Sequence, residues 1–109
     1  MPLEKNLRDR MIRYIKALPV PSHARAVPAS MSGAGQPDID AVIDGLALKI
    51  EVKLPGNTPT ERQHAVIRQW GNAGAVAGWC DNMDDFKILV RKTLERRGCA
   101  AEEIDKLLK

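Results

Sequence analysis

The stretch GAGQPDIDAVIDGLALKIEVKLPGNTPTERQ, Gly33 to Gln63, holds two runs of aliphatic and β-branched residues, Ile39–Ile43 and Leu46–Lys53, either side of Asp44-Gly45. Asp-Gly between such runs is a strong hairpin signal, because a two-residue type I′ turn needs positive φ at both central positions. Side chains alternate faces along a strand, so Glu51 and Lys53 point one way while Ile50 and Val52 point the other. Asp38, just after Pro37, adds a second acid at the start of the hairpin. The spacing Asp38-x12-Glu51-x-Lys53 thus gathers two carboxylates and an ammonium at one end of the strand pair. Mg²⁺ or Mn²⁺ needs only one or two carboxylates, water completing the shell. Such an ion beside a lysine suits phosphodiester hydrolysis. An isolated E-x-K triplet is common by chance, and alone it is most often a structural salt bridge on a strand.

Within the hairpin, Ile39, Val42, Ile43, Leu46, Leu48, Ile50 and Val52 are expected to supply most of the apolar sheet surface. Asp44 reads as a turn residue, and Asp40 is expected to be solvent-exposed. Pro55-Gly56-Asn57 ends the strand. Thr58-Pro59-Thr60-Glu61 predicts a helix start with Thr58 as N-cap, Pro59 in the first position and Glu61 closing a capping box. That helix should run to about residues 69–71, with Ala65, Val66, Ile67 and Trp70 inward and Gln63 facing the cleft at the strand end. Ala75–Cys80 reads as a strand, which a strand–helix–strand crossover would pair in parallel with the preceding one. Asp81 or Asn82 caps a helix over 83–97 that buries Phe86, Leu89, Val90 and Leu94. Gly98 stops it, and 100–108 form a last short helix.

Upstream, Leu3, Leu7, Met11, Tyr14 or Ile15, and Leu18 recur at helical spacing until Pro19 and Pro21 intervene. The other face of this helix carries Lys5, Arg8, Arg13 and Lys16, and Glu4 lies in its first turn. A short irregular strand is expected over 24–28, at a sheet edge because of Pro28. A loop containing Ser30, Ser32, Gly33 and Gly35 follows.

The chain has 109 residues, which suits a single domain (1–109) with the motif core at about 33–63 and C-terminal helices at about 83–108. Its net charge of +3 is unevenly spread: +4 over 1–31, −2 over 32–60 and +1 over 61–109. An acidic centre between basic flanks fits a metal pocket bordered by a phosphate-gripping surface. Cys80 and Cys99 form neither a disulfide framework nor a zinc pattern, and with only His23 and His64 a Cys/His metal site is not expected. No apolar run approaches the roughly 20 residues that span a bilayer. MPLEKNLRDRM lacks a signal-peptide core, so a cytoplasmic, reducing setting without membrane attachment is expected.

Taken in order, Gly35-Gln36-Pro37-Asp38, the apolar hairpin, Ile50-Glu51-Val52-Lys53, Pro55-Gly56 and Thr60-Glu61-Arg62-Gln63 resemble the core of the PD-(D/E)XK nucleases, and within them the VRR-NUC domain. The resemblance extends from the first helix to about Phe86. It implies an α/β restriction-endonuclease-like fold, a small mixed central sheet flanked by helices. It implies Asp38 and Glu51 as ligands of Mg²⁺ or Mn²⁺, helped by the backbone carbonyl of Val52. Lys53 would position the attacking water and steady the phosphate, and Gln63 would orient Lys53 or the water. Glu4 matches the family's first-helix acid as a further metal-associated group.

The chain lacks the added DNA-binding domains of the family's large eukaryotic members and is similar to its small stand-alone forms in bacteria and phages. Those imply a structure-specific DNA endonuclease acting on branched DNA, foremost as a Holliday-junction resolvase. A C₂ homodimer would give a four-way junction two active sites, with Trp79, Leu107 and Leu108 as interface candidates. Lys5, Arg8, Arg13, Lys16 and Arg62 are the candidate DNA-binding residues. The alternatives are a nuclease on 5′ flaps, nicked or duplex DNA, and a catalytically inactive DNA-binding module on the same fold.

Overall fold

In the computed structural model, which describes residues 3–28 and 35–108, a four-stranded mixed sheet is built around the hairpin. Helix α1 (Leu3–Lys16) leads into the edge strand β1 (Ser22–Ala26), followed by β2 (Ile39–Ile43) and β3 (Leu46–Val52). Helix α2 (Glu61–Asn72) crosses to β4 (Val76–Cys80), and α3 (Met83–Arg96) and α4 (Ala101–Leu107) complete the chain. The strand order is β1-β2-β3-β4; the first two pairings are antiparallel and β3–β4 is parallel. Asp44 and Gly45 turn the hairpin with φ of 50° and 87°, the double positive φ that a type I′ turn demands.

One sheet face carries the core. Ile39, Ala41, Ile43, Leu48, Ile50 and Val52 are buried there against Met11 and Ile15 of α1, Phe86, Val90 and Leu94 of α3, and Ile104 of α4. Tyr14 meets Phe86 edge-on, with ring centroids 5.5 Å apart. Truncating a fully buried aromatic such as Phe86 typically costs about 3–5 kcal/mol. Val42 does not join this surface. It alternates with Ala41 and Ile43 onto the opposite face and is 46% exposed.

That opposite face carries the polar residues of β2 and β3, and α2 lies over it. Asp40, expected to be exposed, is instead half-buried between two cations. The ladder sets it opposite Lys49 on β3 and Arg25 on β1, and its carboxylate is ion-paired to both. The Lys49 ammonium also sits 4.3 Å from the centre of the Trp70 ring, so Trp70 covers this charged row rather than entering the core.

Several boundaries differ from the sequence expectation by a few residues. β1 lies at 22–26, ending before Pro28, which has no N–H for the ladder. α2 begins at Glu61 with Thr60, not Thr58, as its N-cap. α1 ends at Lys16, ahead of Pro19. Ser30, Ser32 and Gly33 lie outside the described residues. No helix among the described residues is long and apolar enough to cross a membrane.

Candidate active site

The start of β2, the end of β3 and the first turns of α1 and α2 meet at one end of the sheet's central strands. Asp38 sits one residue before β2, where the ladder brings it level with Glu51, and its Oδ2 accepts the Val52 N–H at 2.9 Å. Glu51 is 3% exposed. Its Oε2 accepts from Gln63 Nε2 at 3.1 Å and lies 3.6 Å from Lys53 Nζ. The acid–acid–lysine set read from the sequence is thus assembled.

Gln63 has two partners. Its Oε1 accepts the Thr60 N–H at 2.9 Å, and its own N–H donates to Thr60 Oγ1 at 3.1 Å, completing a capping box. Its amide nitrogen is left to reach Glu51. The sequence offers two overlapping boxes, Thr58-x-x-Glu61 and Thr60-x-x-Gln63, and only the second delivers a donor to the buried carboxyl. Gln63 thus contacts Glu51 at the oxygen that also faces Lys53.

Burial, then the charge and hydrogen bond of Asp38, push the Glu51 carboxyl up to about 8, while Lys53 pulls it back. Two carboxyls held together with one ammonium nearby form a site short of positive charge. The carboxylate oxygens of Asp38 and Glu51 are hard donors of the kind that Mg²⁺ or Mn²⁺ prefers. The residues fit such an ion. Among the described residues, no three His, Cys, Asp or Glu side chains draw together into a metal-holding group. An ion here would rest on two carboxylates, a carbonyl and water.

Beside the acids lies a cleft of about 200 Å³ lined by Glu4, Lys5, Arg8, Asp38 and Val52. Glu4 of α1 therefore borders the same space as Asp38. Lys5 and Arg8 share Asp9, at 2.9 and 3.3 Å. The carboxylate of Asp9 is held below its ordinary value, chiefly by its hydrogen bond with Lys5. Arg8 Nε is buried without a hydrogen-bond partner, an unmet donor at the rim of the cleft. Arg13 and Lys16 are exposed on the same helix, but nine and twelve residues beyond Glu4 they lie roughly 13 and 18 Å further along its axis.

Two contacts that sequence reasoning missed tie the turn before Asp38 to α2. Trp70 Nε1–H donates to Gln36 Oε1 at 3.3 Å. Gly35, at φ 79°, lies so near Arg62 that a Cβ there would sit 2.9 Å from Arg62 Cγ. Only the first Gly of the Gly35-Gln36-Pro37-Asp38 run hinted at a close approach. Of the interface candidates, Trp79 is half-buried on β4, and Leu107 and Leu108 pack against the core.

No protein-family model and no curated protein matches the chain. Among solved structures, one described as a "VRR_NUC domain protein" superposes with a TM-score of 0.67 at 20% sequence identity, over 84% of this chain and 88% of that one.

Proposed function

We propose, for a chain that has the VRR-NUC fold, that it is a metal-dependent DNA endonuclease cutting branched DNA, foremost four-way junctions, as a homodimer. The observation that carries the reading is the contact of Asp38 with a deeply buried Glu51, beside Lys53 and open on one side to a cleft rimmed by Lys5 and Arg8. A buried acid pair is costly to keep unless a cation or proton compensates it.

Asp38, Glu51 and the Val52 carbonyl would hold Mg²⁺ or Mn²⁺, with Glu4 bordering the cleft. When bound, the ion lowers the pKa of an attacking water and draws charge from the non-bridging phosphate oxygens. Lys53 orients that water through its ammonium and offsets charge on the phosphate. Gln63 keeps the Glu51 carboxyl in one rotamer, facing the site beside Lys53. Lys5 and Arg8 grip the phosphate from the α1 side, Arg62 from the α2 side, and Arg13 and Lys16 meet phosphates farther along.

A homodimer would supply the second site that symmetric cutting of a junction requires. The test is cleavage of labelled four-way junction, 5′ flap, nicked and plain duplex across Mg²⁺, Mn²⁺, Ca²⁺ and chelator, with light scattering for the oligomeric state. Paired symmetric nicks in junctions alone, with Mg²⁺ or Mn²⁺, are the expected result. Equal cutting of all four substrates removes the junction preference, and cutting in chelator removes the metal.

A further inference from the structure

Accounting for the cations around the site leaves two side chains, His64 and Arg68, without an ion pair among the described residues. Lys53 faces Glu51, Lys49 and Arg25 share Asp40, and Lys5 and Arg8 share Asp9. On α2, Arg62, His64 and Arg68 line an open surface of about 610 Å³ together with Glu61 and Ala65. Among the described residues, the Arg68 and His64 side chains make no ion pair or hydrogen bond, and Arg68 is exposed. The fold ties down neither the His64 nor the Arg68 side chain by a hydrogen bond or ion pair.

The position of this surface is informative. Gln63, between Arg62 and His64 in sequence, touches Glu51. The stem of Arg62 abuts Gly35, three residues before Asp38. The strip therefore begins at the lip of the acid site. From Arg62 to Arg68 it spans six residues, roughly 9 Å of helix, or between two and three nucleotide steps at about 3.4 Å of duplex axis each. α1, with Lys5 and Arg8, lies on the other face of the sheet.

We propose that Arg62, His64 and Arg68 form a phosphate-binding strip that takes the DNA backbone beyond the reactive phosphate, on the side of the sheet opposite α1. The inference rests on the nuclease reading and adds a second grip to it. DNA is then held from both faces of the sheet, with the acid site between.

The experiment is fluorescence anisotropy of a labelled four-way junction and a labelled duplex in Ca²⁺ at about 50 to 200 mM salt, the range over which phosphate contacts dominate affinity. Wild type, Arg68→Ala, His64→Ala/Arg68→Ala and Arg68→Lys are compared, with thermal midpoints confirming folding. Arg68→Ala should bind about three- to tenfold more weakly and lower the salt slope by about 0.9, the signature of one lost phosphate contact. Arg68→Lys should restore the slope. Unchanged affinity and slope in the double variant, with wild type binding normally, overturns the strip and leaves the nuclease reading standing. Failure of the wild type to bind either DNA overturns both.

Discussion

Gln63 joins the cap of α2 to the buried acid: one end of its amide accepts the Thr60 N–H at 2.9 Å and the other donates to Glu51 at 3.1 Å. Gln63→Leu removes both bonds and leaves a buried carboxyl short of a donor, so stability should fall by about 1–3 kcal/mol. Gln63→Glu keeps the capping box but sets a second carboxylate against Glu51. It should lose more than about tenfold in cleavage rate with a smaller loss of stability. Denaturant titration and single-turnover cleavage read the two effects separately. Wild-type values for Gln63→Leu in both would show the bridge idle.

The raised Glu51 carboxyl gives the metal-free protein a defined pH response. A folded value of about 8 against an ordinary 4.5 means that the native state holds the proton more tightly than the unfolded chain. The contribution is fully present below about pH 4.5 and is lost as pH rises through about 8. In chelator the melting temperature should therefore decline across this window. Glu51→Gln should flatten the decline, and Mg²⁺ or Mn²⁺ should restore stability at the alkaline end. Parallel profiles for wild type and Glu51→Gln would refute this assignment.

Asp38→Asn retains an oxygen for the Val52 N–H but loses the charge. It should fold with a melting temperature near that of the wild type while cleavage drops by about 10²–10⁴-fold. Lys53→Met should fall similarly, and its Mn²⁺ affinity, read by calorimetry, should not weaken. If either variant cuts at the wild-type rate, the proposed mechanism is wrong.

The turn before Asp38 hangs from α2 by the Trp70–Gln36 bond. Trp70→Phe keeps a ring over Lys49 and deletes only the N–H, so it should cost about 0.5–1.5 kcal/mol and weaken Mn²⁺ binding severalfold. Gly35→Ala meets both the positive φ and the Arg62 stem and should cost about 1–3 kcal/mol. Differential scanning fluorimetry with a Mn²⁺ titration measures both; equal metal affinity in all three proteins would detach the turn from the site.

Much of this site could be read before any coordinates. The period of two places Glu51 and Lys53 together, Asp44-Gly45 fixes the hairpin register, and register carries Asp38 opposite Glu51. What could not be read depends on a third partner. Asp40 looks exposed on its own strand because its cations come from the strands on either side. Thr58 and Thr60 each head a plausible capping box, and the choice turns on Glu51, a residue outside the helix. Trp70 and Gln36 are 34 residues apart, a separation that no local pattern spans.

The capping box has a dynamic consequence. Helix ends open far more often than whole domains, and when the first turn of α2 opens, Gln63 lets go of Glu51 in the same event. The buried acid loses its orientation while the core of Phe86, Met11 and Ile50 stays shut. Local opening at Thr60–Gln63 thus sets the fraction of molecules in which Glu51 is held by Gln63, and hydrogen exchange at the Gln63 amide reports that fraction in the resting protein.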